Sequence, residues 1–584
     1  MIVFKRENKS FDKLKLSIII NYMMKKSLLN PVIFATILLF LYQANLLAES
    51  TVDKHIDADG AKEKTPTLAQ QFAALPRDAK PYTNWKWLGS VNPPETITRE
   101  LEEFSAKGIE LMSLHSAIKP KDLKTPELTG QKYEAENGKL GGCEIAGEVG
   151  VRYVKGINEN DYIEWENIKV PKSGYYKLSF RYACAKTTYA ILYINGVDVE
   201  RLYFPSTSSG TSGWDVKPVI VKLNKGKNSI KYLANERATT AANLDAISLV
   251  KMEEKDINPG GFSGIASFVN PAVKNGGFRM AGYNLWCPSI IKVGDTYHMF
   301  ASRWPYTPPS LSGWLKQSEI VRATSKNLYG PYNFEEVVIP ANPRMVHNPK
   351  ILKHKDKYII VYMTGGKKEG YAYSDKIAGP WTIVNAAFGL KNPTMLIHED
   401  GSSYVFGIDK KSLPKGEKCP NGHTYTLYAK AYTAPELTGT YSILPGVTLK
   451  NDGGFIPPKP DPNFAYEMED PHVWWANNQY NMVCLDWDGW ATGHVKGGAQ
   501  YYSTDGVNYK LVSILPAHKM ECNYDDGTMY RYSRRERPFV YVENEVALAY
   551  ITAGIGFNSP VDDGPCHIII NPVDNYFPCK KGKK

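Results

Sequence analysis

The chain has 584 residues, enough for about three or four units at roughly 100–200 residues each. Its 43% hydrophobic and 22% charged residues exclude a disordered chain, and 38 Tyr, 12 Trp, 47 Gly and 38 Pro favour many short strands and turns over helices. The net charge of +10 divides into +5 from residues 1–48, with seven Lys/Arg against two Asp/Glu, and +5 from the rest, so no basic stripe points to nucleic acid.

The N-terminal segment carries Met24-Lys25-Lys26, then the apolar run Pro31–Tyr42, then Ala48. That order of charge, apolar core and small residue predicts a secretory leader over 1–48, cleaved near Ala48. The run is shorter than the ~20 residues a spanning helix needs. A start at Met23 or Met24 would give a leader of more usual length. Export, to the periplasm or the medium, is the expectation, with no stable membrane span. Residues 49–128 read as a polar linker and a short extension in which Pro94–Gly108 is the helical stretch, capped by Thr96 or Thr98. The eight Cys include no Cys-x-x-Cys pair, which disfavours a zinc ribbon. Export would permit disulfides, while Cys184 and Cys484 fit equally as buried thiols in apolar strands.

Residues 129–253 change to period-two alternation. Tyr175–Tyr182 puts aromatic or apolar residues on one parity, and Leu192–Gly196 ends in Asn-Gly, the strongest short hairpin signal. Such strands predict one β-sandwich of jelly-roll type. The segments Tyr133-Glu134-Ala135-Glu136, Val170–Tyr176, Asn195-Gly196, Leu223 with Gly226 and Asn228, and Asn243-Leu244-Asp245 resemble the family 6 and family 35 carbohydrate-binding modules. That resemblance implies a structural calcium ion at Glu134, Glu136 and Asp245, hard oxygen donors suited to it. It also implies a sugar face of loop aromatics and an Asn, for which Trp214 and Asn243 are the candidates. Trp165 suits the core equally well.

Residues 257–584 contain an internal repeat. Five segments open with Pro followed by an apolar strand, a polar turn and a second strand, at Pro288, Pro349, Pro393, Pro471 and Pro538. One such unit cannot bury its own face, so radial packing into a five-bladed β-propeller is expected. The fold class is therefore all-β, a sandwich followed by a propeller. The pairs before each Pro would ring one mouth of the channel: Trp286-Cys287, His347-Asn348, Lys391-Asn392, Glu469-Asp470 and Glu536-Arg537. Equivalent positions with divergent polar chemistry are what a binding pocket requires.

This strand pattern resembles the family 43 glycoside hydrolases and relatives such as the family 117 anhydrogalactosidases. Glu469-Asp470-Pro471 aligns with the family's Glu-Gly-Pro, whose Glu is the general acid. The family's Asp before the first repeated Pro, the general base, is Cys287 here, and its blade-three Asp is Asn392. Inversion needs two carboxyl groups about 6.5–9.5 Å apart. The second is expected in Glu536, in the same register as Glu469, with Asp470, Asp486, Asp488 and Glu319 as further options. His347, Trp286, Asn392, Arg535 and Arg537 are the candidate substrate ligands. The run Arg534-Arg535-Glu536-Arg537 suits a carboxylate or sulfate on the sugar. Trp304, Trp314, Trp487 and Trp490 are further stacking candidates.

The expectation is an exported, monomeric hydrolase acting on a plant or algal polysaccharide or its oligosaccharides, β-xylosidase-like by resemblance. The alternatives are a non-catalytic glycan-binding protein and an anhydrogalactosidase-like or arabinofuranosidase-like hydrolase. No organic cofactor is expected.

Overall fold

The computed structural model describes residues 83–85, 112–114 and 127–579, apart from 148–151, 208–212, 235–241, 307–312, 342–344, 365–369, 386–387, 413–424, 451–467, 488 and 557–565. The leader, the linker and the Pro94–Gly108 helix lie outside these residues, as do Asp488 and Cys419. Residues 1–118 form one unit, whose described part is the parallel pair Thr83–Trp85 and Met112–Leu114. Residues 119–584 form the other.

Two antiparallel sheets make the sandwich. One runs Val197–Phe204, Thr188–Ile194, Gly226–Ala234, Tyr162–Val170, Lys139–Gly141; the other runs Asp215–Leu223, Gly174–Ala183, Asn243–Lys251, Tyr153–Lys155, Glu144–Ala146, with Gln131–Glu134 also on Asn243–Lys251. Alternate residues point inward, so Phe180, Phe204 and Tyr232 meet edge to face or tilted between the sheets. The Asn195-Gly196 hairpin forms as expected. Both residues have positive φ, 52° and 78°, which a type I′ turn demands and which Asn and Gly tolerate. Trp165 belongs to the core, 3% exposed, its Nε1 donating to Glu134 O at 2.9 Å.

The described residues then form five radial sheets. The inner strands are Tyr283–Val293, Val346–His354, Lys391–Ile397, Met468–Ala476 and Met529–Glu543, one per blade. Each touches the next around the ring, and the fifth returns to the first. Blade five is completed by the segment that precedes blade one: Val269 bridges Val573 and Phe278 bridges Ile568. The chain thus closes its ring with its own N-terminal side. This is a five-bladed propeller.

A single backbone device recurs in every inner strand. The residue before the repeated Pro has left-handed φ: Cys287 55°, Asn348 59°, Asn392 50°, Asp470 56° and Arg537 60°. In each blade the ladder slips at this point, between Trp286 and Ser289, His347 and Lys350, Lys391 and Thr394, Glu469 and His472, and Glu536 and Phe539. Proline has no N–H for the ladder, so the strand bulges there. Left-handed backbone at a non-glycine residue costs about 1–3 kcal/mol, and five copies persist because the bulge aims side chains at the axis.

Candidate functional site

The two residues of each bulge divide their duties. The first ones, Trp286, His347, Lys391, Glu469 and Glu536, all line a cavity of about 260 Å³ at the mouth of the ring. Of the second ones, Asn392 and Arg537 also reach it. Trp304, Trp314 and Trp487 complete an aromatic wall. The cavity lies near the lower bound of about 300–1,000 Å³ typical of small-molecule sites.

Glu469 and Glu536 occupy equivalent positions on adjacent blades and face the same space. Burial pushes the Glu469 carboxyl above its usual range; Arg537 opposes this and the Glu536 charge adds to it. Glu536 is 4% exposed, and its Oε1 has no hydrogen bond among the described residues and lies 3.9 Å from Lys496 Nζ. The two carboxyl groups therefore differ in their surroundings.

Asp470 is a correction to the expected catalytic set. It lies beneath the cavity floor, 3% exposed, and its Oδ1 accepts from Asn392 Nδ2 at 2.7 Å and from Arg537 NH1. Burial pushes its carboxyl up to about 7 against the pull of Arg537, with Glu469 and Glu536 adding to the rise. Asn392 and Arg537 reach the cavity with their amide and guanidinium already tied to this carboxylate. The other carboxylates named above serve elsewhere. Glu319 Oε1 accepts from Arg303 at 3.0 and 2.5 Å, and Asp486 accepts from the N–H groups of Trp490, Ala491 and Thr492.

Arg535 is a second correction. It is 3% exposed and faces away from the cavity, donating to Thr552 Oγ1 at 3.0 Å, Asn571 Oδ1 at 2.6 Å and the carbonyls of Lys519 and Glu521. It knits blade five together. Its neighbour Arg534 lines the cavity instead.

His347 meets the cavity with its ring rather than with a free nitrogen. Ser318 Oγ donates its single proton to Val346 O at 2.9 Å, so it accepts from His347 Nδ1 at 2.8 Å. Nε2 is then left to accept from the Cys287 thiol at 3.3 Å. Burial, with Arg537 nearby, holds the imidazole pKa well below its usual value. The same burial pushes the Cys287 thiol up to about 11, which disqualifies it as a nucleophile near neutral pH. Trp304 and Trp314 flank the imidazole, with ring centroids 5.9 and 5.0 Å away. Trp490 is 8% exposed and is not among the residues that line the cavity.

Cations outnumber acids around the cavity. Lys391, Arg534 and Arg537 line it, and Lys496 adjoins Glu536. Burial and the neighbouring ammonium of Lys410 push Lys391 down to about 8. Lys410 and Lys496 carried no signal in the sequence beyond strand and loop membership.

In the sandwich, Trp214 is partly exposed between Tyr153, centroids 5.4 Å apart, and the Arg181 guanidinium, 5.2 Å from its ring. Asn243 is partly exposed and pairs with Ala183. The expected calcium ligands do not converge into a cage. Asp245 Oδ2 is 2.6 Å from Arg181 NH1, and Glu134 Oε1 is 3.0 Å from Lys132 Nζ. Only Glu136 keeps a buried oxygen without a partner, and among the described residues no three His, Cys, Asp or Glu side chains are grouped as metal ligands.

Residues 135–251 match the family model "Carbohydrate binding module (family 6)". A 1,6-alpha-glucosyltransferase of Sporosarcina globispora is 29% identical over 125 residues, 20% of this chain and 10% of that one, so the match spans a tenth of the curated relative's length. Among solved structures, a family 35 carbohydrate-binding module of Paenibacillus barcinonensis is 30% identical over 21% of this chain and 100% of its own, with TM-score 0.20. A family 117 glycoside hydrolase of the marine bacterium Zobellia galactanivorans is 16% identical over 54% of this chain and 93% of its own, with TM-score 0.38. A thermostable family 43 glycoside hydrolase is 14% identical over 54% and 96%, with TM-score 0.36.

Proposed function

We propose that the propeller hydrolyses an O-glycosidic bond in an acidic glycan, with Glu469 as general acid and Glu536 as general base. The observation that carries this reading is the placement of these two carboxyl groups on equivalent bulges of neighbouring blades, facing one tryptophan-walled cavity. Glu469, whose carboxyl burial pushes above its usual range, gives its proton to the leaving glycosidic oxygen as the bond to the anomeric carbon breaks. Glu536 takes a proton from the water that attacks that carbon from the opposite face, so the anomeric configuration inverts. The products are the freed sugar and the hydroxyl of the remaining chain.

An excess of positive side chains favours a substrate with its own negative charge. Lys391, Arg534 and Arg537 suit a uronate carboxylate or a sulfate ester. A cavity of only about 260 Å³ fits release of one terminal sugar, as a β-xylosidase or arabinofuranosidase does, better than cutting within a long chain. The sandwich would hold the same polymer through Trp214, with export through the 1–48 leader bringing both units to a plant or algal polysaccharide.

The rival is a lectin with no turnover. It is favoured by one observation: Asp470, Asn392 and Arg537 are already locked together, so the floor can act as a fixed binding surface. The test is turnover of defined uronate-bearing and sulfated oligosaccharides, with wild type against Glu469→Gln. Release of a single sugar that vanishes in the variant supports hydrolysis; tight binding without release in either protein overturns it.

A further inference from the structure

The wall of the cavity on blade four includes a loop that the sandwich touches. The loop Asp486–Gly497 carries Trp487, which lines the cavity, and Lys496, whose Nζ lies 4.8 Å from the Trp487 ring and 3.9 Å from Glu536 Oε1. Its first half holds itself. The Asp486 carboxylate accepts from Trp490 N at 2.8 Å, Ala491 N at 3.0 Å and Thr492 N at 2.9 Å. Its second half is tied within the loop by Gly493 N to Gly489 O at 2.9 Å, His494 N to Thr492 Oγ1 at 3.3 Å, Lys496 N to Trp487 O at 3.2 Å and Gly497 N to His494 O at 2.9 Å. Gly489 and Gly493 both sit at positive φ, 73° and 78°, where glycine is at ease and the unfolded loop has much freedom to lose.

Further ties come from the sandwich. Lys217 Nζ donates to Gly493 O at 3.1 Å. His494 Nδ1 donates to Glu200 Oε1, and Lys519 Nζ meets Glu200 Oε2 at 3.0 Å. Glu200 is 6% exposed and His494 3%, so these bonds are shielded from water. Burial opposes the Glu200 charge, but His494 and Lys519 together hold its carboxyl down at about 2. A second anchorage lies beside the first: Arg531 NH2 reaches Asp198 Oδ1 at 2.5 Å, its Nε reaches Glu521 Oε1 at 2.8 Å, and Arg201 N donates to the same Glu521 oxygen at 3.0 Å. Arg531 stands in the same strand as Arg534 and Glu536.

We propose that Glu200 and Lys217 of the sandwich are positioning residues for the propeller cavity, setting the loop that delivers Trp487 and Lys496. The module then has a second duty besides any sugar it holds: it braces a loop of the cavity wall. This inference rests on the loop's contacts and holds whatever chemistry the cavity performs.

The test is hydrogen–deuterium exchange with peptide-level mass spectrometry on the full chain, comparing wild type with Lys217→Met, Lys217→Arg and Glu200→Gln. Exchange over residues 493–497 should rise by about tenfold in Lys217→Met and Glu200→Gln, through easier local opening, while blades one to three keep their wild-type protection. Lys217→Arg, which can still donate to Gly493 O, should restore the protection. Should Lys217→Met fail to fold, the near-isosteric Glu200→Gln decides alone. Unchanged protection of 493–497, an equal rise across all blades, or no rescue by Arg would overturn the proposal.

Discussion

Asn392 of blade three donates from Nδ2 to Oδ1 of Asp470 in blade four across 2.7 Å, with the Arg537 guanidinium of blade five on the same oxygen. Three blades are thereby joined at one carboxylate. A carboxylate at position 392 would face Asp470 at that distance and repel it, so the amide at 392 and the acid at 470 form a physically matched pair.

Replacing Asp470 by Asn tests this joint. The change keeps shape but removes the carboxylate that hydrogen-bonds the buried Arg537, a loss of about 3–5 kcal/mol. Denaturant unfolding should show a lower midpoint with an unchanged slope. A midpoint equal to wild type would mean that the guanidinium has another partner.

Glu469→Gln should lower turnover by about 10²–10⁴-fold while leaving the binding of product sugars nearly intact. The wild-type profile of kcat/KM should fall as pH rises through the Glu469 pKa, which burial places above the ordinary value of ~4.3. The sign follows from its role, because only the protonated carboxyl can give a proton. A profile flat through that limb would remove Glu469 as the acid.

Lys391 should govern affinity for an acidic sugar. Its ammonium form is present below about 8, so binding of galacturonate should weaken as pH rises past that value. Lys391→Met should cost at least about tenfold in affinity, remove this pH dependence and reduce the sensitivity to salt. Isothermal titration at several pH values checks all three.

Arg535→Met should destabilise the protein by about 3 kcal/mol or more, since it strands the buried acceptors Thr552, Asn571 and two carbonyls. Thermal unfolding should register the loss. Sugar affinity of the folded fraction should stay within about twofold of wild type, in contrast to Lys391→Met, since uncoupled distant sites act independently.

Chelation offers a check on the sandwich. Asp245 pairs with Arg181 at 2.6 Å and Glu134 meets Lys132 at the surface, an arrangement without an ion under which EDTA should leave the melting temperature unchanged. A marked fall would return calcium to the module.

The ring of five blades was legible because each blade announces itself with Pro inside an apolar run, and Pro in a strand demands a bulge. Divergent chemistry at the pairs before each Pro marked the ring, the resemblance to the family 43 hydrolases singled out Glu469, and Glu536 followed from its equal register. The second position was harder, since left-handed backbone there sends Cys287 and Asp470 below the floor while Asn392 and Arg537 still reach the cavity. Arg535 was misplaced although the signal existed. Strand alternation puts Arg534 and Glu536 on one face and Arg535 on the other, and only the bulge at 537 brings the next side chain back. Lys496 was out of reach for a different reason. Its position depends on a loop held by residues almost three hundred positions earlier in the chain.

The pairing of Val269 and Phe278 with Val573 and Ile568 decides how this molecule can be dissected. A fragment that begins at Tyr283, where the first blade starts, would lack the clasp and bare the outer strand of the last blade, a naked edge that invites self-association. The stretch between the sandwich and the first blade is therefore structural material, and any cut meant to free the propeller has to fall ahead of Val269.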